Sequence, residues 1–279
     1  MKHLYDEVSN KISKTITNQY STSFSFSSRL LGRNLRPAIY SIYGLVRLAD
    51  EIVDSFHGYE KEAMLIELRE EYNKAIKRKI SINPVLNSFQ KVYHDYNFEP
   101  YLVDKFFDSM EMDLRPKDYN QSLYNQYIHG SAEVVGLMCL KVFVKGNHAK
   151  YTKLKDSAIK LGAAFQKVNF LRDLEYDNNQ LGRTYFPNLD LNNMTNVEKN
   201  KIINDIDKDF SDALIGLKKL DNDSFFGVYV AFRYYKELLK KINKVNLSRL
   251  RNERIRISNL RKFSLVLNTV IKSNLGLLR

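Results

Sequence analysis

The sequence predicts an all-α protein, and two observations lead to that prediction. Glycine and proline, which interrupt regular structure more than other residues, are scarce: 11 Gly and 5 Pro occur in 279 residues. Apolar residues also recur at about 3.6-residue spacing in the segments 35–56 and 158–174, whereas strict alternation over the length of a strand is hard to find. No linker-like composition divides the chain, so we expect one domain, residues 1–279, with roughly eight to twelve helices.

Signals for helix starts occur along the whole chain. Hydroxyl-bearing residues in the segment 21–25 can cap the helix that follows, and prolines at positions 37, 84 and 100 suit the first turn of a helix. Residues 178–190 have the composition of a loop. The predicted helices are 4–17, 35–56, 60–79, those beginning at Pro84 and Pro100, 124–144, 158–177, 197–220, 225–245 and 263–278.

Two polar stripes at helical spacing are the most informative local feature of the chain. In each stripe two aspartates are four positions apart, and an α-helix places such residues on one face, one turn apart. Most of the neighbouring positions are apolar. The first stripe contains Arg47, Asp50 and Asp54, and the second contains Gln166, Asn169, Asp173 and Asp177.

Two such stripes facing one another would form an acidic cleft inside a helical protein. Buried carboxylates are costly unless they are paired or hold a metal ion. Mg²⁺ prefers a few carboxylates together with phosphate oxygens of a substrate, so the pattern predicts a diphosphate held on magnesium. The alternative for one pair alone is a solvated helix face, because 27% of the residues are charged. Two copies with apolar flanks favour the site over that alternative.

The single cysteine and the polar N-terminus indicate the cellular compartment of the protein. The single cysteine, Cys139, excludes an intramolecular disulfide and a cysteine-based metal site, and its apolar neighbours predict a buried small hydrophobe. The N-terminus turns polar at once, unlike a secretory signal, and no apolar run has the length of a membrane span. We expect a cytoplasmic protein that is soluble or peripheral on the inner face of the membrane.

The net charge is +12, and much of the excess lies in residues 236–262. Three interpretations stay open: a solvated basic face, attraction to an anionic membrane that would suit a lipidic substrate, and nucleic-acid binding. The last is least favoured, because no nucleic-acid-binding signature accompanies the charge. The segment 263–278 is predicted to pack as a terminal helix, with membrane contact as the alternative. The sequence leaves the oligomeric state open.

Five motifs in order along the chain resemble those of the squalene/phytoene synthase family. Together they extend from about residue 20 to 262. The combination is specific, because five ordered motifs rarely coincide by chance. They are Ser21, Ser23 and Phe24 in an S-x-S-F segment, Tyr43, Arg47, Asp50 and Asp54 in a first aspartate-rich motif, 127–132 at the place of a Y-C-x-x-V-A-G segment, Gln166, Asn169, Arg172, Asp173 and Asp177 in a second aspartate-rich motif, and 182–187 in a G-R-x-Y-x-P loop.

The resemblance implies an isoprenoid synthase fold around a central cavity and a head-to-head prenyltransferase. It implies that Mg²⁺, or Mn²⁺ in its place, neutralises the leaving diphosphate. The roles that it implies are metal binding for Asp50, Asp54, Asn169, Asp173 and Asp177, diphosphate contacts for Ser21, Ser23, Arg47, Gln166, Asn169 and Arg172, proximity to the carbocations for Tyr43 and Tyr185, and a cavity wall for Phe24.

Several of these residues have a plain structural alternative. Arg172 could pair with a neighbouring carboxylate, Tyr43 could belong to the core, and Tyr185 and Arg183 could be structural parts of a loop. His129 is expected to be a hydrogen-bonded helix residue, because no second His lies at ligand spacing.

The chain also departs from the family pattern at three positions. Glu51 keeps the charge of the usual Asp. Glu133 is an unexpected carboxylate that could alter packing near the cavity, and Phe170 replaces an aliphatic residue and could shape the cavity.

The leading product that the resemblance implies is phytoene, from two geranylgeranyl diphosphates. The alternative is squalene, dehydrosqualene or hydroxysqualene from two farnesyl diphosphates, and NADPH is needed only if the product is squalene. A non-catalytic relative is disfavoured because all four aspartates are present. A basic nucleic-acid binder would give no reason for the paired stripes.

Overall fold

The computed structural model describes residues 1–115, 119–187, 189–191, 193–274 and 278, and in these ranges it contains helices and no extended strand. The all-α prediction is therefore confirmed. The helices are α1 (Lys2–Tyr20), α2 (Thr22–Ser28), α3 (Arg36–Ser55), α4 (Lys61–Arg78), α5 (Pro84–Asp95), α6 (Pro100–Asp113), α7 (Gln121–Ile128), a π-helical turn (His129–Glu133), α8 (Val134–Phe143), α9 (His148–Arg172), α10 (Leu174–Asn179), α11 (Asn196–Leu217), α12 (Asn222–Lys244), α13 (Leu247–Asn252) and α14 (Asn259–Asn274).

The described ranges contain more helices than the sequence predicted, and the difference lies in short elements. Helix α2 has seven residues, and α10 and α13 have six each. Periodicity needs a window of about 11 residues or more to register, so it misses such helices. The predicted terminal helix, 263–278, is observed as α14, and residues 275–277 of that prediction lie outside the described part of the chain.

Capping side chains explain where several helices begin. Ser21 accepts a hydrogen bond from the backbone N–H of Phe24 (3.2 Å) at the start of α2, as the hydroxyl-rich segment predicted. Asn83 caps α5 immediately before Pro84, and Asn147 caps α9 through the N–H of Lys150 (3.0 Å). The cap at Asn147 places the start of α9 upstream of the apolar periodicity, because the first turns of this helix are largely polar.

The hydrophobic core is a contiguous cluster to which α3, α6, α9 and α11 all contribute buried side chains. Helix α3 buries an apolar face that includes Ile42, Leu45 and Ala49, and its polar stripe lies on another face. Helix α9 packs against α8, the π-helical turn, α11 and α12. The two aspartate motifs are thus attached to long helices that the core holds in place. No helix in the described ranges is long and apolar enough to cross a bilayer.

The π-helical turn divides the predicted helix 124–144 into α7 and α8. His129 Nδ1 lies 2.8 Å from Glu133 Oε2 across this turn, so His129 is a hydrogen-bonded helix residue, as predicted. The Glu133 carboxylate is engaged there and is absent from the cavity wall, to which its neighbour Ala132 contributes. The unexpected carboxylate therefore faces away from the cavity.

Candidate active site

The first aspartate motif lies on the uninterrupted helix α3. Arg47 forms an ion pair with Asp50 (3.5 Å) and a close hydrogen-bonded pair with Glu51. Its guanidinium also lies over the ring of Tyr20, 4.5 Å from the centroid. Glu51 thus holds the arginine beside the two aspartates, which gives this acidic residue a structural role.

The second aspartate motif spans a break in the helix. Helix α9 ends at Arg172, Asp173 has φ −104° and ψ 11°, and α10 begins at Leu174. The prediction of one continuous helix over 158–177 is therefore wrong at Asp173. The following sequence is rich in Asp and Asn, which have low helix propensity because their side chains compete for backbone hydrogen bonds. The backbone N–H of Asp177 still donates to the carbonyl of Asp173 (2.9 Å), so the one-turn spacing of the carboxylates is kept.

Two arginines bind the carboxylate of Asp173. Arg172 Nε lies 3.0 and 3.1 Å from its two oxygens, and Arg254 Nε lies 2.7 Å from Oδ1. Arg172 thus pairs with its neighbour, which was the structural alternative for this residue. Arg254 comes from the basic segment after α13, and sequence reasoning did not assign it to the site.

Arg183 joins the two motifs. Its side chain is only 6% exposed, and its Nη1 lies 2.7 Å from Asp54 Oδ1 on α3. Its backbone N–H donates to the carbonyl oxygen of Asp177 (2.8 Å) in the second motif. The residue belongs to the G-R-x-Y-x-P segment, so this loop physically connects α3 with α10.

Asp113, at the end of α6, completes this connection. Its buried carboxylate accepts hydrogen bonds from the hydroxyls of Tyr127 (2.6 Å) and Tyr185 (3.0 Å), and its backbone carbonyl accepts one from Arg183 (2.8 Å). Burial raises the pKa of Asp113 to about 6, against the opposing effect of Arg183. In the sequence, Asp113 is an acidic residue that closes the apolar segment containing Phe106, and that position alone does not indicate a site.

Tyr185 does not face the cavity. Its ring stacks on Phe170, with centroids 4.1 Å apart and an interplanar angle of 11°, and its hydroxyl is directed to Asp113. These contacts give Tyr185 the structural role that was its alternative, and its proximity to the carbocations stays a prediction. Phe170 likewise packs on Tyr185 and is absent from the cavity wall, so it does not shape the cavity directly.

Two of the four motif aspartates have strongly raised pKa values. Burial raises the pKa of Asp50 to about 7, and the neighbouring Asp54 adds to the shift. Burial raises the pKa of Asp177 to about 8, with further contributions from Asp173 and Asp54. The influence of Asp54 on Asp177 shows that the two motifs are within electrostatic reach of each other, and the shifts indicate negative charge that the arginines do not fully compensate.

A divalent cation needs several oxygen ligands that converge on one point. No three His, Cys, Asp or Glu side chains in the described ranges converge closely enough to hold a metal ion, because arginines are the partners of Asp54 and Asp173. The donor set is nonetheless the carboxylate and amide oxygen that Mg²⁺ prefers, and the raised pKa values of Asp50 and Asp177 show the charge that a cation would neutralise. The residues therefore fit magnesium in donor chemistry and in charge.

An apolar cavity of about 260 Å³ adjoins the second motif. Gln166 and Ser23 contribute polar groups to its wall, and most of the remainder is apolar surface of α2, α8, α9, α11 and α12. Phe24 lines the cavity, as expected, and stacks on Tyr43 with centroids 4.8 Å apart. Phe165 stacks on Tyr235 in the same wall, at 4.1 Å. The apolar cavity therefore reaches the second aspartate motif at Gln166.

The remaining candidate residues lie between the carboxylates and the cavity. Asn169 Oδ1 accepts a hydrogen bond from the Tyr235 hydroxyl (3.3 Å), and Asn169 Nδ2 donates to Gln166 Oε1 (3.5 Å). Burial raises the pKa of Tyr43 to about 12, so its hydroxyl stays protonated. Ser21 influences the Tyr43 hydroxyl through a hydrogen bond in addition to capping α2.

Close helix contacts fix the frame of the cavity. A Cβ atom on Gly162 of α9 would lie 2.5 Å from the carbonyl oxygen of Ala132 in the π-helical turn, and one on Gly227 of α12 would lie 2.9 Å from the carbonyl of Ser27 in α2. Only glycine permits such approaches. Cys139 fills part of the wall, and burial raises the pKa of its thiol to about 12, which agrees with the prediction of a small hydrophobe.

Several known proteins are similar to this chain in sequence or in fold. The phytoene synthase of Arthrospira platensis is 26% identical over 262 residues, covering 84% of each chain. The presqualene diphosphate synthase of Rhodopseudomonas palustris is 27% identical over 170 residues, covering 60% of this chain and 58% of that protein. A crystal structure of a dehydrosqualene synthase superimposes with a TM-score of 0.81 at 20% identity and covers 97% of this chain and 98% of its own, which supports the isoprenoid synthase fold.

The family model for squalene/phytoene synthase matches residues 17–261. This range includes α3, the π-helical turn, the break at Asp173 and the loop with Arg183, which are the elements that build the site. With most of the chain matched in this way, the protein belongs to the squalene/phytoene synthase family.

Proposed function

We propose that this protein condenses two geranylgeranyl diphosphate molecules head to head to give phytoene, with release of diphosphate. The observation that carries the proposal is that the second aspartate motif adjoins an apolar cavity: Gln166, which lines the cavity together with Phe24, accepts a hydrogen bond from Asn169 of the same motif. A prenyl diphosphate has a doubly charged head and a long apolar tail, so it needs these two surfaces next to each other. The whole chain, residues 1–279, acts as one catalytic domain in this proposal.

The polar part of the site would bind the diphosphates. Asp50, Asp54, Asp173 and Asp177, with Asn169, would hold Mg²⁺, or Mn²⁺ in its place, and the bound ion would supply Lewis-acid neutralisation of the departing diphosphate. Arg47 and Arg172 would donate hydrogen bonds to phosphate oxygens. Ser21, Ser23 and Gln166 lie along the route from these arginines to the cavity wall and would orient the first prenyl carbons.

The chemistry then proceeds in two ionisations. The C–O bond of one allylic diphosphate breaks, and the allylic cation alkylates the double bond of the second substrate. Loss of a proton gives a cyclopropylcarbinyl diphosphate. Its own C–O bond then breaks, and rearrangement with loss of a further proton gives the product. The apolar wall would exclude water that would otherwise capture the cations, and the stacked rings of Phe24 and Tyr43, and of Phe165 and Tyr235, offer π faces near them.

A C30 product is the second candidate. The presqualene diphosphate synthase is similar over 60% of this chain, and the dehydrosqualene synthase has the same fold. In that case two farnesyl diphosphates would give squalene, dehydrosqualene or hydroxysqualene, and NADPH would be needed for squalene alone. Phytoene leads because the similarity to a phytoene synthase extends over 84% of both chains.

The surroundings of the protein form part of the same proposal. The substrates and product are lipidic, and the basic segment 236–262 would give a cytoplasmic protein a peripheral contact with an anionic membrane. Prenyl diphosphates are the partners that the site suits, and nothing in this function requires a nucleic acid.

Product analysis by mass spectrometry tests the proposal. Purified protein with Mg²⁺ would be given farnesyl or geranylgeranyl diphosphate, each with and without NADPH. Phytoene from the C20 substrate, formed equally well without NADPH, is the expected result. A C30 product from the C15 substrate alone would replace the leading product with the second candidate, and the effect of NADPH would separate squalene from its dehydro and hydroxy relatives. No condensation from either substrate would contradict both.

A further inference from the structure

Helix α14 buries one face and exposes large apolar side chains on the opposite face. Leu265 and Thr269 face inward and are buried as α14 packs against α12. The outward face carries a row at positions i, i+3, i+7 and i+11, which a helix aligns into one stripe. This α14 stripe consists of Leu260, Phe263, Leu267 and Ile271, which are 81%, 62%, 51% and 50% exposed.

A single exposed apolar side chain needs no explanation, but a contiguous row does. Ile66, Ile82 and Val197 lie on separate elements, and a second row of exposed apolar residues, Leu4 and Val8 on α1, is shorter and lies outside the basic segment. A helix that is apolar on its outer face as well as its inner one is expected to be covered on both. The α14 stripe therefore calls for an apolar partner.

The surroundings of the α14 stripe specify the charge of that partner. Residues 236–262, which include the end of α12, all of α13 and the start of α14, contain ten Lys and Arg but two Glu. Both glutamates are already paired, Glu237 with Arg261 (2.8 Å) and Glu253 with Arg249 (2.8 Å). An apolar stripe bordered by cations matches the acyl chains and anionic headgroups of a lipid surface.

The α14 stripe also lies next to the opening of the cavity. Lys262, on the first turn of α14, donates a hydrogen bond from Nζ to Thr22 Oγ1 (3.1 Å) on α2. The same ammonium lies 5.4 Å from the centroid of the Tyr234 ring, and Tyr234 lines the cavity. The first turn of α14 is thus attached to α2 and to the cavity wall at Tyr234.

We propose that the α14 stripe is the element that inserts into an anionic bilayer, with the basic residues around it on the headgroups. Such helices lie in the plane of the interface and bury their apolar face about 5–10 Å deep. Insertion would bring the rim of the cavity to the lipid, so a water-insoluble hydrocarbon could leave the cavity without crossing water. The release of product into lipid rests on the proposed function, whereas the insertion of the α14 stripe into a bilayer does not.

Vesicle co-sedimentation tests the docking. The wild-type protein would be mixed with phosphatidylcholine vesicles that contain phosphatidylglycerol, and with vesicles of phosphatidylcholine alone. The stripe variant replaces the four residues as L260S, F263S, L267S and I271S. A matched control carries I66S, I82S, V197S and I215S, which remove four exposed apolar side chains from other places. A charge variant carries K240E, K244E and R249E.

The wild type is expected to bind the anionic vesicles, and the matched control to bind equally well. The stripe variant should lose at least about tenfold in partition coefficient, since each apolar side chain buried in lipid contributes severalfold. The charge variant should lose binding to the anionic vesicles, with a steep dependence on salt. Equal binding by the stripe variant and the control would overturn the proposal.

A second copy of the chain is the competing occupant of the α14 stripe. Analytical ultracentrifugation distinguishes a dimer from a membrane-bound monomer. A dimer that the stripe substitutions dissociate, without vesicle binding by the wild type, would overturn the membrane proposal.

The turnover of detergent-solubilised substrate shows whether the stripe affects membrane binding alone or catalysis as well. The stripe variant should keep its turnover within about twofold, because no residue of the α14 stripe lines the cavity. Vesicle binding by a wild type that makes no prenyl product would uphold the docking and refute the proposed function.

Discussion

The two aspartate motifs carry the same four-residue spacing on different supports. Asp50 and Asp54 lie on α3, which continues without interruption and is held by the core on its apolar face. Asp173 and Asp177 lie across the break between α9 and the six-residue helix α10. A motif on a core helix has its geometry fixed by that helix, whereas a motif at a helix end depends on the loops that follow.

The arginines that bind these carboxylates show a second difference, which lies within each motif. In each motif one aspartate binds an arginine from a distant part of the chain, Arg183 for Asp54 and Arg254 for Asp173, and the adjacent Arg172 adds a second cation at Asp173. The other aspartate of each pair has its pKa raised by burial and by neighbouring carboxylates, although Asp50 is also paired with Arg47 at 3.5 Å. Equal spacing in the sequence therefore does not give equal chemistry, because the two aspartates of each pair differ in how strongly arginines stabilise their charge.

The largest expected effect comes from neutralising one carboxylate in either motif. Asp50→Asn and Asp173→Asn should each reduce turnover by about 100-fold to 1000-fold, because each removes a group that binds the charge of the leaving diphosphate. Steady-state product formation measures the loss, and circular dichroism should show an unchanged helical fold. Asp95→Asn, which removes an exposed carboxylate paired with Lys91, is the control. Near-normal rates in either motif variant would show that the motif does not take part.

The second-largest effect is expected on stability, from replacing Arg183, which connects the two motifs. Arg183→Gln should lower the free energy of unfolding by about 3–5 kcal/mol, because it leaves Asp54 and Asp113 without their buried cation. Urea unfolding followed by circular dichroism gives the value. Arg249→Gln, which breaks an exposed pair with Glu253, should cost less than about 1 kcal/mol. A similar small loss for both variants would mean that the loop does not stabilise the junction.

The smallest effect is a dependence of stability on pH. The folded state raises the pKa of Asp177 from 3.8 to about 8, so it binds this proton more tightly than the unfolded chain does. The contribution of this group to stability is therefore full below about pH 4 and is lost as the pH rises toward 8. Because water screens a partly exposed carboxylate, we expect Asp177→Asn to gain only about 1 kcal/mol at pH 8.5, or about 2–4 °C in Tm.

Thermal unfolding in EDTA at pH 4 and pH 8.5 checks this expectation. The variant and the wild type should unfold together at pH 4 and separate at pH 8.5. Adding Mg²⁺ at pH 8.5 should stabilise the wild type and narrow the gap, because a cation compensates the same charge. An equal difference at both pH values would show that the effect of the substitution is not electrostatic.

Sequence patterns predicted the parts of this site that depend on local spacing. The helical class, the polar stripe of α3 and the cap at Ser21 follow from periodicity and from local hydrogen bonding. The ion pair of Arg183 with Asp54 could not be predicted, because 129 positions separate the two residues. Asp113 and Arg254 were missed for the same reason: their importance arises from tertiary contacts that no local pattern records.

Tyr185 illustrates a second limit of the sequence. The G-R-x-Y-x-P segment predicted a tyrosine near the site, and the residue is there, bound to Asp113. Its direction depends on the packing of Phe170 and Tyr127 around it, which turns the ring away from the cavity. The pairing of the Asp173 carboxylate with Arg254 was beyond a local pattern for the same reason, because 81 positions separate the two residues.

The glycine contacts around the cavity have a consequence for which substitutions can change its volume. A Cβ atom on Gly162 or Gly227 would lie 2.5 or 2.9 Å from a backbone carbonyl oxygen of a neighbouring element, so neither position accepts a side chain without a shift of the backbone. Backbone contact therefore sets the spacing of these helices, whereas lining side chains such as Cys139, Leu161 and Phe165 fill the space between them. Single substitutions at the lining positions can thus change the volume of the cavity while the helix frame and the aspartate motifs stay in place.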